Sequence, residues 1–479
     1  MGHVHATSLF CGPEVGLKHD AVLSHEGGVI TSIDAAASPQ PGRRLVLPAL
    51  VNAHDHARPI ASSFGNLNMP LETWILRSPL ITPPDPYLVA AVSFGRNARA
   101  GTGAMMVHYT KPSGRMGMVD EARAIARAAS DVGIRIAFAL AVRDQNPLVY
   151  GDAPEILAAL SPADRAVIAQ GLPPAPASPQ AYLDLVEEIA AAVAGPMVDV
   201  QLGPAGVQWC SRPLLQAIAE HSARTGRRIH MHLLETIYQR RWADQAYPEG
   251  LVRYLRDIGF LSERLTVAHA IHARPDELDM IAASGARIVT NFSSNLQLHS
   301  GLAPIADAHR RGCAIAVGVD GVALDEDDDA LREMRLVQMA HDGIGFDRTW
   351  SRAEFLSLAI RNGRRAVGAP GDGLLQPGAP ADYIVIDYDR LDRDALMPVD
   401  PLDLLFARGN ASHVAEVVVA GRTVAREGLP TGIDLPALET EMRAAYREAL
   451  QGQGAFLSAW KPLEGEITRW YAAACGCGG

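Results

Sequence analysis

LVLPALVNAHDH, residues 45–56, is an apolar run that ends on a His-x-His pair. An apolar run of this length reads as a buried strand. Side-chain direction on a strand repeats every two residues, so His54 and His56 project from one face. The same pattern recurs three times downstream. IHMHLLE (229–235) ends on His232 and Glu235, LTVAHA (265–270) on His269, and IAVGVD (315–320) on Asp320. Imidazoles and carboxylates at the ends of separate strands must be gathered by the fold, and they are metal-ligand chemistry. Three imidazoles with one carboxylate suit zinc, with Fe2+ as the alternative divalent ion.

Working outward, eight strand candidates appear at 45–52, 104–109, 134–141, 197–202, 229–233, 265–270, 286–291 and 314–319. Helical patterns precede seven of them. SRPLLQAIAEHSARTG, for example, offers Ser211 as N-cap, Leu214, Leu215 and Ile218 on one face, and Gly226 as stop. Strand-helix alternation implies parallel strands with helical crossovers, and eight such units predict a (β/α)8 TIM barrel. Its functional groups lie at the C-terminal ends of strands, where the ligand candidates fall. Residues 48–371 are assigned to this barrel. The flanks, 1–47 and 372–432, carry short strands and Gly/Pro turns and are expected to pair into one small β-sandwich domain split by the barrel. Residues 433–479 are read as a C-terminal helix on the outside followed by a flexible tail.

Bulk properties set bounds. The chain has 479 residues, 48% of them hydrophobic, and a formal net charge of −11. That charge argues against nucleic acid as a partner. No apolar run is long enough to span a membrane. MGHVHATSLF lacks the features of a signal peptide, and five cysteines make no disulfide framework, so a reduced, cytoplasmic protein is expected. Cys475-Gly-Cys477 is taken as part of the tail, and His3-Val4-His5 as a strand remote from the site.

The candidate residues divide by role. His54, His56, His232 and Asp320 are the expected metal ligands. Glu235, three residues after His232, leaves the strand to lean over the metal, where a carboxylate can move protons between water and a leaving amine. His269 either binds metal or contacts substrate and water. His230, deeper on the strand, is expected to hydrogen-bond within the core. Substrate contacts are sought at the barrel mouth: Trp74 for stacking on a planar ring, Arg143 for a carbonyl or carboxylate, Gln208 and Trp209 for a ring edge, and His108 at the end of the second strand. The chain has only three lysines, Lys18, Lys111 and Lys461, and none lies near the fourth strand. A two-metal centre bridged by a lysine there is excluded.

HDH, HLLET, AHAIH, SSNLQLHSG and GVDG together resemble the amidohydrolase superfamily. Within it they are similar to the branch with the aminohydrolases of adenosine, cytosine, guanine, S-adenosylhomocysteine and the s-triazines. NGRRAVG and PGAPADYIVID extend the resemblance to about residue 430. It implies one divalent metal held by His54, His56, His232 and Asp320, with Glu235 as proton shuttle and His269 near the attacked atom. The implied activity is hydrolytic deamination of a small N-heterocycle, with a homodimer as a family-level expectation. A cyclic amide, amidine or C-halogen hydrolase on the same scaffold is the alternative. A non-catalytic metal-binding scaffold is a third reading, against which Glu235 speaks, since metal binding alone does not require it.

Overall fold

The computed structural model describes residues 2–38, 41–172, 175–321 and 324–474. The TIM barrel is present as expected. Its strands, in chain order, are β1 (Leu50–Asn52), β2 (Thr102–Tyr109), β3 (Arg135–Val142), β4 (Val198–Pro204), β5 (Ile229–Leu233), β6 (Leu265–His269), β7 (Arg287–Thr290) and β8 (Ala314–Val317). Each pairs in parallel with the next. The ring is closed by Ala53 N donating to Val317 O at 2.9 Å and Asp320 N donating to His54 O, also at 2.9 Å. Every residue of β2 is buried, as a strand covered on both faces requires. The crossover helices obey their local signals. Ser211 accepts from Leu214 N to start the helix Arg212–Thr225, and Gly226 ends it at φ +73 in the left-handed region.

The chain ends form one continuous eight-stranded sheet. Arg44–Pro48 is its pivot, parallel to Gly2–Phe10 on one side and antiparallel to Tyr383–Asp387 on the other. The sheet is fastened to the barrel through Asp382, which takes Arg135 and Arg364 in buried ion pairs at 2.9 Å. Here the structure corrects the single strand expected at 45–52. Arg44–Pro48 belongs to the small sheet, and only Leu50–Asn52 enters the barrel. Both pieces are fully buried apart from Arg44, so hydrophobicity runs through the junction. Only Pro48 marks it.

A second correction concerns the C-terminus. Leu435–Leu450 is helical as expected, but Gly454–Ala474 is a further helix rather than a tail. Phe456, Trp460, Leu463, Ile467 and Tyr471 form its buried stripe. They pack with Phe64, Leu71, Trp74, Tyr150 and Trp209 in a core of their own over the barrel mouth. The helix therefore covers the functional end. Cys475 and Cys477 lie outside the described residues. No helix among the described residues is long and apolar enough to cross a membrane.

Candidate functional site

The first loop is bent by its own side chains. Asn52 donates to Asp55 Oδ2 at 2.8 Å and accepts from Val319 N at 2.9 Å. Asp55 Oδ1 takes the backbone N–H groups of His56 and Ala57. This curls the chain inward and aims both His54 and His56 at Asp320, whose Oδ1 lies 3.2 Å and 3.1 Å from their Nε2 atoms. Gly318 is needed beneath them. A Cβ there would stand 2.4 Å from Asn291 Oδ1 and 2.8 Å from His54 N.

Every imidazole of the cluster is held by its Nδ1. His56 Nδ1 donates to His108 O and His232 Nδ1 to Ala205 O, both at 2.7 Å. A carbonyl only accepts, so each Nδ1 carries the proton and each Nε2 presents a lone pair. His54 Nδ1 meets His230 Nε2 at 2.7 Å, and His269 Nδ1 meets Asn295 Oδ1 at 2.8 Å. The Nε2 atoms of His54 and His269 are buried without a hydrogen-bond partner. Burial holds His56 and His269 down to a pKa of about 4 and His232 well below the ordinary value, so these three rings are neutral.

Neutral rings with inward lone pairs, gathered around a carboxylate, fit a divalent cation. Ligand atoms of His54, His56 and His232 lie within 4.8 Å of one another, as do those of His54, His269 and Asp320. Ser294 donates to Asp320 Oδ2 at 2.6 Å and leaves Oδ1 facing the rings. His269 and Asp320 both have left-handed backbones, at φ +73 and +65. Non-glycine residues adopt that region at a cost, and such strain clusters where side chains must be aimed.

Glu235 stands at a strand-to-helix corner. Leu234 turns at φ +49, and Thr236 caps the following helix. Glu235 Oε2 lies 3.7 Å from His269 Nε2. Burial first, then the charges of Asp320 and Glu72, push its carboxyl well above the usual range. Its backbone N–H donates to Gln239 Oε1 at 2.8 Å. Behind it, Glu72 Oε1 accepts from Thr236 Oγ1 at 2.5 Å and from Tyr150 Oη at 3.0 Å. Glu72 was not among the residues expected at the site, although it lies two positions before Trp74. Its signal was a carboxylate in an otherwise apolar loop.

Above the histidines is a cavity of about 50 Å3, lined by His56, His232, Glu235, His269 and Asp320 below and by Trp74, Arg143, Trp209, Arg58 and Lys111 around it. Trp74, Arg143 and Trp209 thus reach the mouth as expected. Arg58 and Lys111 are additions. His108 and Gln208, expected as substrate contacts, do not line this cavity. His108 is fully buried below the ligand layer, where its Nε2 bonds Gly203 O at 3.0 Å and its ring stacks on His56 and His232. A strand-end position does not separate the layer that touches substrate from the one beneath it. The Gln208 side chain folds against Gly206. Its carbonyl serves Asn146 at 2.6 Å, so the residue shapes the loop. His230, expected inside the core, is there.

The family model for the amidohydrolase family matches residues 45–424. The chain belongs to the amidohydrolase family. It is 29% identical over 416 residues to the 5-methylthioadenosine/S-adenosylhomocysteine deaminase of Nitratidesulfovibrio vulgaris, covering 86% of this chain and 87% of that one. It is 27% identical to the 8-oxoguanine deaminase of Pseudomonas aeruginosa, covering 90% and 95%. Among solved structures, the zinc-complexed atrazine chlorohydrolase of Arthrobacter aurescens TC1 superposes with a TM-score of 0.75 at 23% identity, covering 93% of this chain and 100% of that one. The superfamily and the barrel with its small domain stand as the sequence indicated.

Proposed function

We propose that the chain is a metal-dependent hydrolytic deaminase of a small nitrogen heterocycle, such as a purine, pterin, pyrimidine or triazine. The observation that carries this reading is the meeting of inward imidazole lone pairs and Asp320 Oδ1 directly beneath the buried carboxyl of Glu235, in a cavity of about 50 Å3. The related deaminases act on such rings by name, which supports the substrate class.

In this reading His54, His56, His232 and Asp320 hold one divalent ion, and zinc is the ion this donor set suits. When bound, the ion supplies Lewis acidity that makes a water acidic near neutral pH. The protein does the rest. The His269 Nε2 lone pair accepts a hydrogen bond from the attacking water and orients it. With a bound cation offsetting the Asp320 charge that helps hold the Glu235 carboxyl high, Glu235 takes a proton from that water at its carboxylate and returns it to the ring nitrogen beside the attacked carbon. The proton of the hydroxyl now on that carbon then passes through Glu235 to the exocyclic amine, which leaves as ammonia while the carbonyl forms. Glu72, Tyr150 and Gln239 are positioning residues that fix the corner carrying Glu235. Trp74 and Trp209 wall the ring, and Arg143 meets an oxygen substituent. The domain division follows the same proposal: 48–371 carries the chemistry, and 1–47 with 372–432 braces it.

The test is ammonia release by zinc-loaded protein across purines, pterins, pyrimidines and triazines, with chloride release from chlorinated triazines measured alongside. A heterocycle that yields ammonia only with Glu235 intact supports the reading. Chloride without ammonia would move it to a C-halogen hydrolase.

A further inference from the structure

Beside the catalytic cavity lies a second, much larger chamber of about 700 Å3. The two share Ile75, Ser78, Thr110, Lys111 and Arg143 as a common wall. The far walls of the chamber are apolar, with Leu76, Met118, Leu148 and Ile168 facing Phe456 and Leu463 of the covering helix. A space of about 50 Å3 holds only a few water-sized groups, at ~10–15 Å3 each. The catalytic cavity therefore takes the reacting ring and little more, while the volume for the rest of a substrate is next door.

The junction is cationic. Lys111 Nζ donates to Ser78 Oγ at 3.4 Å. Arg143 lies over the Trp209 ring, 5.6 Å from its centroid. Among the described residues neither has a carboxylate within ion-pair distance. Asp144, the neighbouring acid, is bound to Ser211 N and Oγ at 2.7 Å and 2.6 Å instead. Both cations are largely buried, and a buried charge without a counter-charge is costly. Burial first, then the charges of Arg143 and Arg58, lowers the Lys111 ammonium to about 8. An anion between them would relieve both.

We propose that the chamber is a second subsite, receiving an apolar extension of the substrate that is joined to the reacting ring through an anionic group held by Lys111 and Arg143. This rests on the reading of the neighbouring cavity as the reaction site. The substrate class is thereby narrowed to amphiphilic acids: a heterocycle at the histidines, a carboxylate or comparable anion at the junction, and a hydrocarbon or aromatic arm beyond it. A neutral apolar molecule would leave the cations unmet, and a small inorganic anion would leave the apolar walls unfilled.

The test is calorimetric binding to the zinc-loaded full chain with three probes: 4-hexylbenzenesulfonate, benzenesulfonate and 4-hexylbenzyl alcohol. Sulfonate is chosen because it is a poor zinc ligand. The expected result is one site per chain that binds the first probe about tenfold or more tighter than either other, since a hydrogen bond to a charged group is worth ~1.5–3 kcal/mol. Lys111→Met and Arg143→Met should each weaken the two sulfonates by about tenfold and leave the alcohol unchanged. Leu148→Trp, which narrows the chamber, should weaken the hexyl probe toward the affinity of benzenesulfonate. Equal affinity for all three probes, or binding indifferent to all three variants, overturns the assignment. The readout is independent of turnover. If deamination is found but this pattern is absent, the chamber assignment alone falls. If the pattern is found without deamination, the reaction falls and the binding site stands.

Discussion

Replacing Lys111 by Met should make the protein more stable while impairing its ligand binding. The side chain is mostly buried at the cavity junction, with no acid partner among the described residues and only Ser78 Oγ within reach. Its ammonium is lowered from 10.5 to about 8, by burial first and then by Arg143 and Arg58. At ~1.36 kcal/mol per pH unit, holding the charged form in the fold costs on the order of 3 kcal/mol. Methionine keeps the aliphatic stem and discards the charge. Between pH 8 and 10.5 the unfolded chain binds more protons at this lysine than the folded one, so wild-type stability rises with pH across that window. Below pH 8 the penalty is complete, and above 10.5 it is gone. Lys111→Met should therefore melt roughly 3–6 °C above wild type at pH 7, taking ~2 °C per kcal/mol for a long chain. That gap should close as pH is raised from 8 to 10.5. Differential scanning fluorimetry of the zinc-loaded proteins across pH 6–10.5 reads both features. A variant that melts below wild type at pH 7, or a gap that does not change with pH, would show that Lys111 has a counter-charge in the fold and refute the reasoning.

The remaining expectations concern the reaction site. Purified protein should carry one equivalent of divalent metal, and its removal by a chelator should lower the melting temperature and be reversed by zinc; elemental analysis giving two equivalents, or unaltered melting, contradicts the single centre. Glu235→Gln should keep its metal and lose turnover by about 10²–10⁴-fold, because an amide holds the geometry but cannot accept a proton and pass it on; the idea fails if kcat is normal or if activity follows metal loss. Glu72→Gln, which changes a partner of Thr236 and Tyr150, should lower kcat with KM nearly unchanged, and a KM effect alone would remove it from a positioning role. Arg143→Met should lower kcat/KM about tenfold on the best heterocycle without lowering the melting temperature, as for one lost charged hydrogen bond; lower stability with intact kinetics would make it a structural residue.

The barrel was legible because parallel strands buried on both faces are continuous apolar runs, and helix signals such as the Ser211 cap and the Gly226 stop punctuate what lies between. That legibility has a physical limit at residues 45–52. Two strands of different sheets meet there without a change in hydrophobicity, so the boundary rests on Pro48 alone. The covering helix was missed for a different reason. Phe456, Trp460, Leu463, Ile467 and Tyr471 recur at helical spacing, yet Pro462 and Gly465 interrupt the propensity of the segment. Burial against the mouth loops stabilises the helix despite them, and that burial depends on contacts distant in sequence.

At the site, the histidines, Glu235 and Asp320 that residue type and strand-end position single out do lie together in the fold. Those two signals were not sufficient for depth. His108 and His56 are both imidazoles associated with strand ends, but one lies beneath the cluster and supplies its backbone carbonyl to the other. Charge placement was legible least of all. Arg143 drew attention by following a strand, and its unpaired state emerges only once Asp144 is seen bonded to Ser211. Lys111 was read for its distance from the fourth strand, which excludes a bridging role there, and the same residue proves to stand at the cavity junction. A cation's meaning lies in what is absent around it. Two cations left without carboxylates among the described residues, where the small catalytic cavity opens into an apolar chamber, are the feature on which the proposal of an amphiphilic acid over a neutral heterocycle stands.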